Sequence, residues 1–187
     1  VDGAIMGLGS NTSGILLVNS NTAQIKVGAT GTLRGGDAAI YAGGLANVVN
    51  DGLIATGAGA IASIYETGSG NYSITNRGQI TSISAEAIEM TGAGTHTINN
   101  SGTILNAGST FAINSSDATA IDIINNSGVI SGGSVTLGGG ADVVTNTGNQ
   151  ILLNVTVTDD QGVAVSCPKD SLDLGEAMTC TASGLAP

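Results

Sequence analysis

Asn100-Ser101-Gly102-Thr103-Ile104 decides how the chain is read, because near copies recur at Asn50-Asp51-Gly52-Leu53-Ile54, Asn76-Arg77-Gly78-Gln79-Ile80 and Asn126-Ser127-Gly128-Val129-Ile130. A shorter echo closes the series at Asn146-Thr147-Gly148. Successive asparagines are 26, 24, 26 and 20 residues apart. A nearly constant period of that length marks one coil of a solenoid, since hairpins would be free to vary in length. Asparagine and glycine suit a turn: Asn bonds to nearby backbone and tolerates a left-handed conformation, and Gly meets positive φ without a Cβ clash. Stacked from coil to coil, the asparagines would form a hydrogen-bonded ladder.

Between the signatures each unit has one plan. A short strand with alanine and an aliphatic residue comes first, as in Ala39-Ile40-Tyr41, Ser63-Ile64-Tyr65 and Ala87-Ile88-Glu89-Met90. A glycine or Asp/Ser turn follows, then an alternating strand such as Tyr72-Ser73-Ile74-Thr75 or Thr95-His96-Thr97-Ile98, which runs into the next Asn-x-Gly-x-Ile. Strands this short cannot bury a face alone. Stacked coils would place Ile40, Ile54, Ile64, Ile74, Ile80, Ile88, Ile98, Ile104, Ile113, Ile121 and Ile130 in inward columns, with the intervening residues facing solvent. The predicted fold is therefore all-β, a parallel β-helix over residues 1–148, with residues 1–35 forming one or two less regular coils. An antiparallel meander is the competing arrangement, because Asn-Asp-Gly is also a hairpin signal.

Composition supports thin stacked strands. The chain has 187 residues, 30 of them glycine, no tryptophan and an aromatic content of 2%. Its apolar mass is Ile, Val, Leu and Ala, which fits closely packed sheets better than a thick globular core. Fourteen acidic against four basic side chains give a net charge of -10. Such a balance excludes a phosphate-binding surface, so no nucleic-acid partner is expected. No apolar run is long enough for a transmembrane helix.

After Ile130 the grammar changes. Ile151-Leu152-Leu153-Asn154-Val155-Thr156-Val157-Thr158 reads as a strand, Asp159-Asp160-Gln161-Gly162 as a turn, and Val163 to Cys167 and Ala177 to Ser183 as further strands. Residues 149–187 are thus read as a small antiparallel β-sandwich-like tail. Cys167 and Cys180 are thirteen residues apart and make a poor metal set. In an exported protein they would form a disulfide, and two buried thiols are the alternative.

Residues 38–148 resemble the glycine- and asparagine-rich repeats of bacterial autotransporter passengers and related adhesins, with Gly140-Ala141-Asp142-Val143-Val144-Thr145-Asn146-Thr147-Gly148 the nearest match. That likeness implies a right-handed helix, export, and surface display or adhesion. The tail, through Leu153-Asn154-Val155-Thr156-Val157-Thr158, Val165-Ser166-Cys167-Pro168 and Ala177-Met178-Thr179-Cys180-Thr181, resembles immunoglobulin-like repeats of bacterial surface proteins. Those are spacers with a Cys-Pro to Cys-Thr pair and no catalytic residues. The match lacks their first strands, so the tail is expected to cap the solenoid or to receive a strand from a neighbouring subunit.

Chemistry is sparse. There is no nucleophile motif and no Cys-His pairing close in sequence. His96 reads as a solvent-facing or hydrogen-bonded strand residue, and Glu66, Glu86, Glu89, Asp117 and Asp122 as mainly solvated carboxylates. No cofactor is expected. Asp142, Asp159 and Asp160 are candidate calcium ligands, although no EF-hand loop or calcium-binding nonapeptide series accompanies them. The structural positions are Asn50, Gly52, Asn76, Gly78, Asn100, Gly102, Asn126, Gly128, Asn146, Gly148, Cys167 and Cys180. The reading is a non-enzymatic, extracellular or cell-surface structural or adhesive subunit. Its expected partners are copies of itself, as an oligomer or head-to-tail filament, and glycans or proteins of a host or cell surface. A carbohydrate-binding or polysaccharide-degrading β-helix is the alternative.

Overall fold

The structure is a computed structural model that describes residues 1–7, 9, 11–18, 23–108, 110–148, 152–153, 155–157, 165–173 and 176–182. Alternating, β-branched segments become strands, and three strands make each coil. The first coil is β1 (Ala4–Met6), β2 (Ser13–Leu17) and β3 (Ala23–Val27); the second is β4 (Thr32–Gly35), β5 (Ala38–Ala42) and β6 (Ala46–Asn50). The third is β7 (Leu53–Thr56), β8 (Ala62–Glu66) and β9 (Tyr72–Asn76), and the fourth β10 (Gln79–Ser82), β11 (Glu86–Met90) and β12 (Thr95–Asn100). The fifth is β13 (Thr103–Asn106), β14 (Phe111–Ser115) and β15 (Ile121–Asn126), and the sixth β16 (Val129–Ser131), β17 (Ser134–Leu137) and β18 (Val143–Asn146). The remaining described strands are β19 (Leu152–Leu153), β20 (Val155–Val157), β21 (Val165–Ser166), β22 (Ser171–Leu172), β23 (Glu176–Thr179) and β24 (Thr181–Ala182).

Three parallel sheets run along the solenoid. Sheet A is β1-β4-β7-β10-β13-β16, sheet B is β2-β5-β8-β11-β14-β17-β20, and sheet C joins β3-β6-β9-β12-β15-β18. The meander is thereby ruled out. In-register pairing builds one aliphatic column per sheet: Leu33-Ile54-Ile80-Ile104-Ile130 in A, Ile40-Ile64-Ile88-Ile113-Val135 in B, and Val48-Ile74-Ile98-Ile124-Val144 in C. All of these are buried. Each fully buried aliphatic side chain of this size contributes about 1.5–3 kcal/mol, and the second to sixth coils each supply one to every column.

Two sequence expectations are corrected here. Ile121 is not in the inward column: it pairs with the outward Thr95, is 39% exposed, and leaves the inner position to Ile124. The signature glycines are not there for positive φ, which among the described residues occurs at Gly9, Gly59, Gly70, Gly94, Gly132, Gly140 and Asn11. They are there for close approach. A Cβ on Gly78 would run into the carbonyl of Gly52, one on Gly102 into that of Gly78, and one on Gly128 into that of Gly102. Glycine stacks on glycine at the corner where sheet C turns into sheet A.

The tail is fused to the last coil. β20 extends sheet B in parallel, and β23 lies antiparallel on β18, with Val144 opposite Met178. Two short antiparallel pairs, β19–β22 and β21–β24, complete this end, and Cys167 and Cys180 form a disulfide. Leu172, Met178 and Cys180 join the main core. The turn at 159–162, with the candidate ligands Asp159 and Asp160, lies outside the described residues, as do Leu174 and Gly175. Among the described residues no helix is long and apolar enough to cross a membrane.

Candidate functional site: two buried polar columns and an outer groove

Sheet C carries polar columns at both ends of its strands, on the inner side of the aliphatic stack. At the end leading into the turn stand Asn50, Asn76, Asn100, Asn126 and Asn146, each at most 2% exposed. Each asparagine donates its Nδ2 to the Oδ1 of the next, at 2.7, 2.7, 2.7 and 2.8 Å. The second proton goes to a backbone carbonyl of the following coil: Gln79 and Thr103 at 3.0 Å, Val129 at 3.1 Å. Asn146 donates to the carbonyl of Leu172 at 3.2 Å, so the ladder ends in the tail. A primary amide can do this because it carries donors and an acceptor in one neutral group.

The opposite column is ionisable. Tyr72, His96 and Asp122 are in successive register on β9, β12 and β15, and Asp142 precedes Val143, the partner of Ile123. All four are 2% exposed or less. His96 Nδ1 lies 2.9 Å from Asp122 Oδ1, and the Asp122 N–H donates to Asp142 Oδ1 at 2.7 Å. Glu66, at the end of β8, turns inward with Oε2 3.8 Å from His96 Nε2, beyond hydrogen-bond reach. Among the described residues, Glu66 Oε2, Tyr72 Oη, His96 Nε2, Asp122 Oδ2 and Asp142 Oδ2 have no hydrogen-bond partner. Buried polar atoms without partners are costly, so this column is energetically unlike the asparagine ladder.

The electrostatics follow from enclosure. Burial pushes the Glu66 carboxyl up to about 7, against the opposing pull of His96 and of the Gly68 and Gly92 N–H groups. Burial does the same to Asp142, also to about 7, although the Asp122 N–H favours its charged form. For His96, burial disfavours the imidazolium, but the Asp122 hydrogen bond and the charges of Asp122, Glu66 and Asp117 outweigh it, so its pKa is raised. Tyr72 is held neutral by burial. Glu66 and Asp142 are therefore poised to take up protons near neutrality while enclosed between sheets.

Of the two readings of His96, these positions select the hydrogen-bonded one over the solvent-facing one, and they correct the expectation of solvated carboxylates. Only part of it holds: Glu86 and Glu89 are half-buried on β11, and Asp117 sits in a turn where its Oδ1 accepts from the Thr119 N–H at 2.7 Å. The signal for the inward group was in the sequence. Tyr72, His96, Asp122 and Asp142 each stand two residues before an inward aliphatic residue, and the strand period of two puts them on the same face. Asp142, a candidate calcium ligand, is enclosed in this column, and among the described residues no three of His, Cys, Asp and Glu are grouped to hold a metal ion.

The accessible feature is a groove of about 250 Å³ on the outer face of sheet C, beside the asparagine corner. One wall is the outward strand row Thr75, Asn99, Asn125 and Thr145, and the other is the turn row Arg77, Ser101, Ser127 and Thr147. The Asn125 amide donates to Asn99 Oδ1 at 3.0 Å across adjacent coils. The hydroxyls of Ser127 and Thr147 donate to the carbonyls of Asn100 and Asn126, both at 3.3 Å. Arg77 Nε lies 2.6 Å from Asp51 Oδ1 at one end.

No family model matches the chain, and neither a curated protein nor a solved structure matches it.

Proposed function

We propose that the protein is a non-enzymatic structural or adhesive module of an extracellular or cell-surface assembly, built to be extended by further coils or by copies of itself. The observation that carries this reading is the unbroken parallel register of sheets A and C over six coils, with identical asparagines bonded through five of them. Stability in such a stack is a sum over neighbouring coils, and each coil face is a template for the next. Supporting it, among the described residues β1, β2 and β3 are paired on one side only, and the exposed Ile5, Met6, Leu16 and Val18 lie on or beside β1 and β2. At the other end β23 covers sheet C, while β16 and β20 each keep one described neighbour. Open strand edges of this kind accept strands from another chain.

The Cys167–Cys180 disulfide favours an oxidising compartment, and the likeness of the repeats to adhesin passengers points to surface display. A non-catalytic role is favoured by the enclosure of Glu66, His96, Asp122 and Asp142, which keeps these titratable groups away from an external substrate. Sedimentation and negative-stain microscopy over a hundredfold concentration range test the assembly. Growing oligomers or fibres are expected, and a monomer at every concentration would defeat it.

A further inference from the structure

The outer groove is longer than its two neutral coils. By register, the strand row continues from Thr75 through Val49 to Lys26, and the turn row from Arg77 to Asp51. An adjoining hollow is lined by Lys26, Asp51 and Arg77, among others. The chain has four basic side chains and a net charge of -10, and two of the four meet at this one end. Along the axis the track thus passes from Lys26 and Arg77, which share their hollow with Asp2 and with Asp51, the ion-pair partner of Arg77, through Val49 and Thr75 to paired amides and then to hydroxyls.

Three ligand classes can be separated by geometry. A peptide strand added to a sheet needs a free edge, but β9, β12 and β15 are each paired on both sides. Moreover, an extended peptide repeats its side chains on one face every 6.6 Å or so, whereas the track repeats at the inter-strand spacing of about 4.8 Å. Nucleic acid would need a row of cations matching its phosphates along the whole track, and the track offers two, both at one end. A linear glycan advances by a similar step per sugar ring and offers hydroxyl donors and acceptors at every step. The Asn99 Nδ2 and Asn125 Oδ1 left over from their mutual bond match that chemistry.

We propose that this track binds an acidic polysaccharide along the solenoid axis, with sugar hydroxyls on Asn99 and Asn125 and an anionic substituent against Lys26 and Arg77. The inference rests on the adhesive part of the proposed function and names its ligand class. The groove is shallow and has no aromatic platform, so a single chain binds weakly and gains by multivalency along an assembly.

The test is a titration of the whole chain, followed by side-chain amide NMR signals, with a hexamer of a 1,4-linked uronic acid and with the neutral hexamer of the corresponding hexose. Sedimentation at the same concentration reports assembly separately, so failure of either reading is seen without the other. Shifts at Asn99 and Asn125 are expected with both probes, with the uronate about tenfold tighter at low salt, as one or two charge-assisted contacts supply. Lys26→Gln with Arg77→Gln should bring the uronate down to the neutral probe. Asn99→Ala with Asn125→Ala should abolish binding of both, read from the backbone amide signals of the groove residues Ser101 and Ser127, in a protein whose circular dichroism is unchanged. Equal affinity for the two hexamers, or shifts that survive Asn99→Ala with Asn125→Ala, would overturn the proposal, as would no shift with either.

Discussion

The two inner polar columns of sheet C are built from the same strands, stacked at the same spacing and equally buried, yet they solve the stacking problem in opposite ways. Asn50 to Asn146 repeat one neutral group whose donor always meets the next acceptor. Tyr72, His96, Asp122 and Asp142 are four residues of three unlike chemistries, joined at two contacts and leaving partnerless atoms at each step. The comparison shows that a buried polar column in a solenoid is not costly in itself. What matters is whether the residue complements its own copy in the next coil, which an amide does and a carboxylate does not.

The sharpest way to break this distinction is to make the ladder ionisable without changing its shape. Asn100→Asp replaces a donor pair by carboxylate oxygens facing Asn126 Oδ1 and the Val129 carbonyl. Burying that charge among acceptors should cost about 4 kcal/mol or more at pH 7, read as a fall in the urea midpoint, with part of the loss recovered in acid as the carboxyl gains a proton. A loss under about 1 kcal/mol would mean that the ladder bonds are not what holds this corner. The neighbouring glycine column should respond next. Gly102→Ala drives a Cβ into the Gly78 carbonyl and should cost about 2–3 kcal/mol, whereas Gly57→Ala, which meets nothing within 4 Å, should leave the midpoint nearly unchanged.

Most of the architecture was legible because the solenoid repeats its constraints. Ile54, Ile80 and Ile104 recur after an Asn-x-Gly turn, so the coil length and the inward face can be read together. The role of the glycines was not legible, since a single sequence does not say whether glycine serves backbone conformation or approach by another coil. Gly52, Gly78 and Gly102 needed the stack to be seen. Ile121 was misplaced because an aliphatic residue beginning a strand was counted as core, although its neighbour Asp122 and then Ile124 set the opposite phase. The ionisable column escaped because its members differ in type: periodicity searches reward repeated residues, and Tyr, His and Asp share only a position. The fusion of the tail to the stack, through Asn146 and the Leu172 carbonyl, joins residues 26 apart and leaves no local pattern.

The comparison also predicts a pH dependence confined to one of the columns. Glu66 and Asp142 bind protons more tightly folded than unfolded, with values near 7 against ordinary values of 4.5 and 3.8. Their contribution is therefore complete below about pH 4, shrinks as pH rises, and is gone above about 7. His96, also raised, contributes below its ordinary value of 6.5 and loses that contribution as pH rises through the folded value. All three signs agree. Asp117, whose pKa is lowered first by the Thr119 N–H, opposes them only in strong acid, where its contribution is lost. The urea midpoint should thus be highest near pH 4 and fall toward pH 8 by an amount equivalent to about 2–4 kcal/mol.

The smallest effect is also the most discriminating, because it asks whether the ionisable column can be made to behave like the ladder. Glu66→Gln removes the carboxyl that faces His96 Nε2 without filling or emptying space, and the new amide carries a donor and an acceptor as the ladder residues do. At pH 5 the wild-type carboxyl is already protonated and hydrogen-bonding capacity is similar, so the midpoints should agree to within about 0.5 kcal/mol. At pH 8 the variant should be the more stable by about 1–2 kcal/mol, since it no longer carries a charge that burial disfavours. Asp142→Asn should act in the same direction, and the two together should flatten most of the slope. If the slope survives both substitutions, His96 and its bond to Asp122 dominate the titration, and the column is a single proton site held by a histidine instead of a row of mismatched carboxyls.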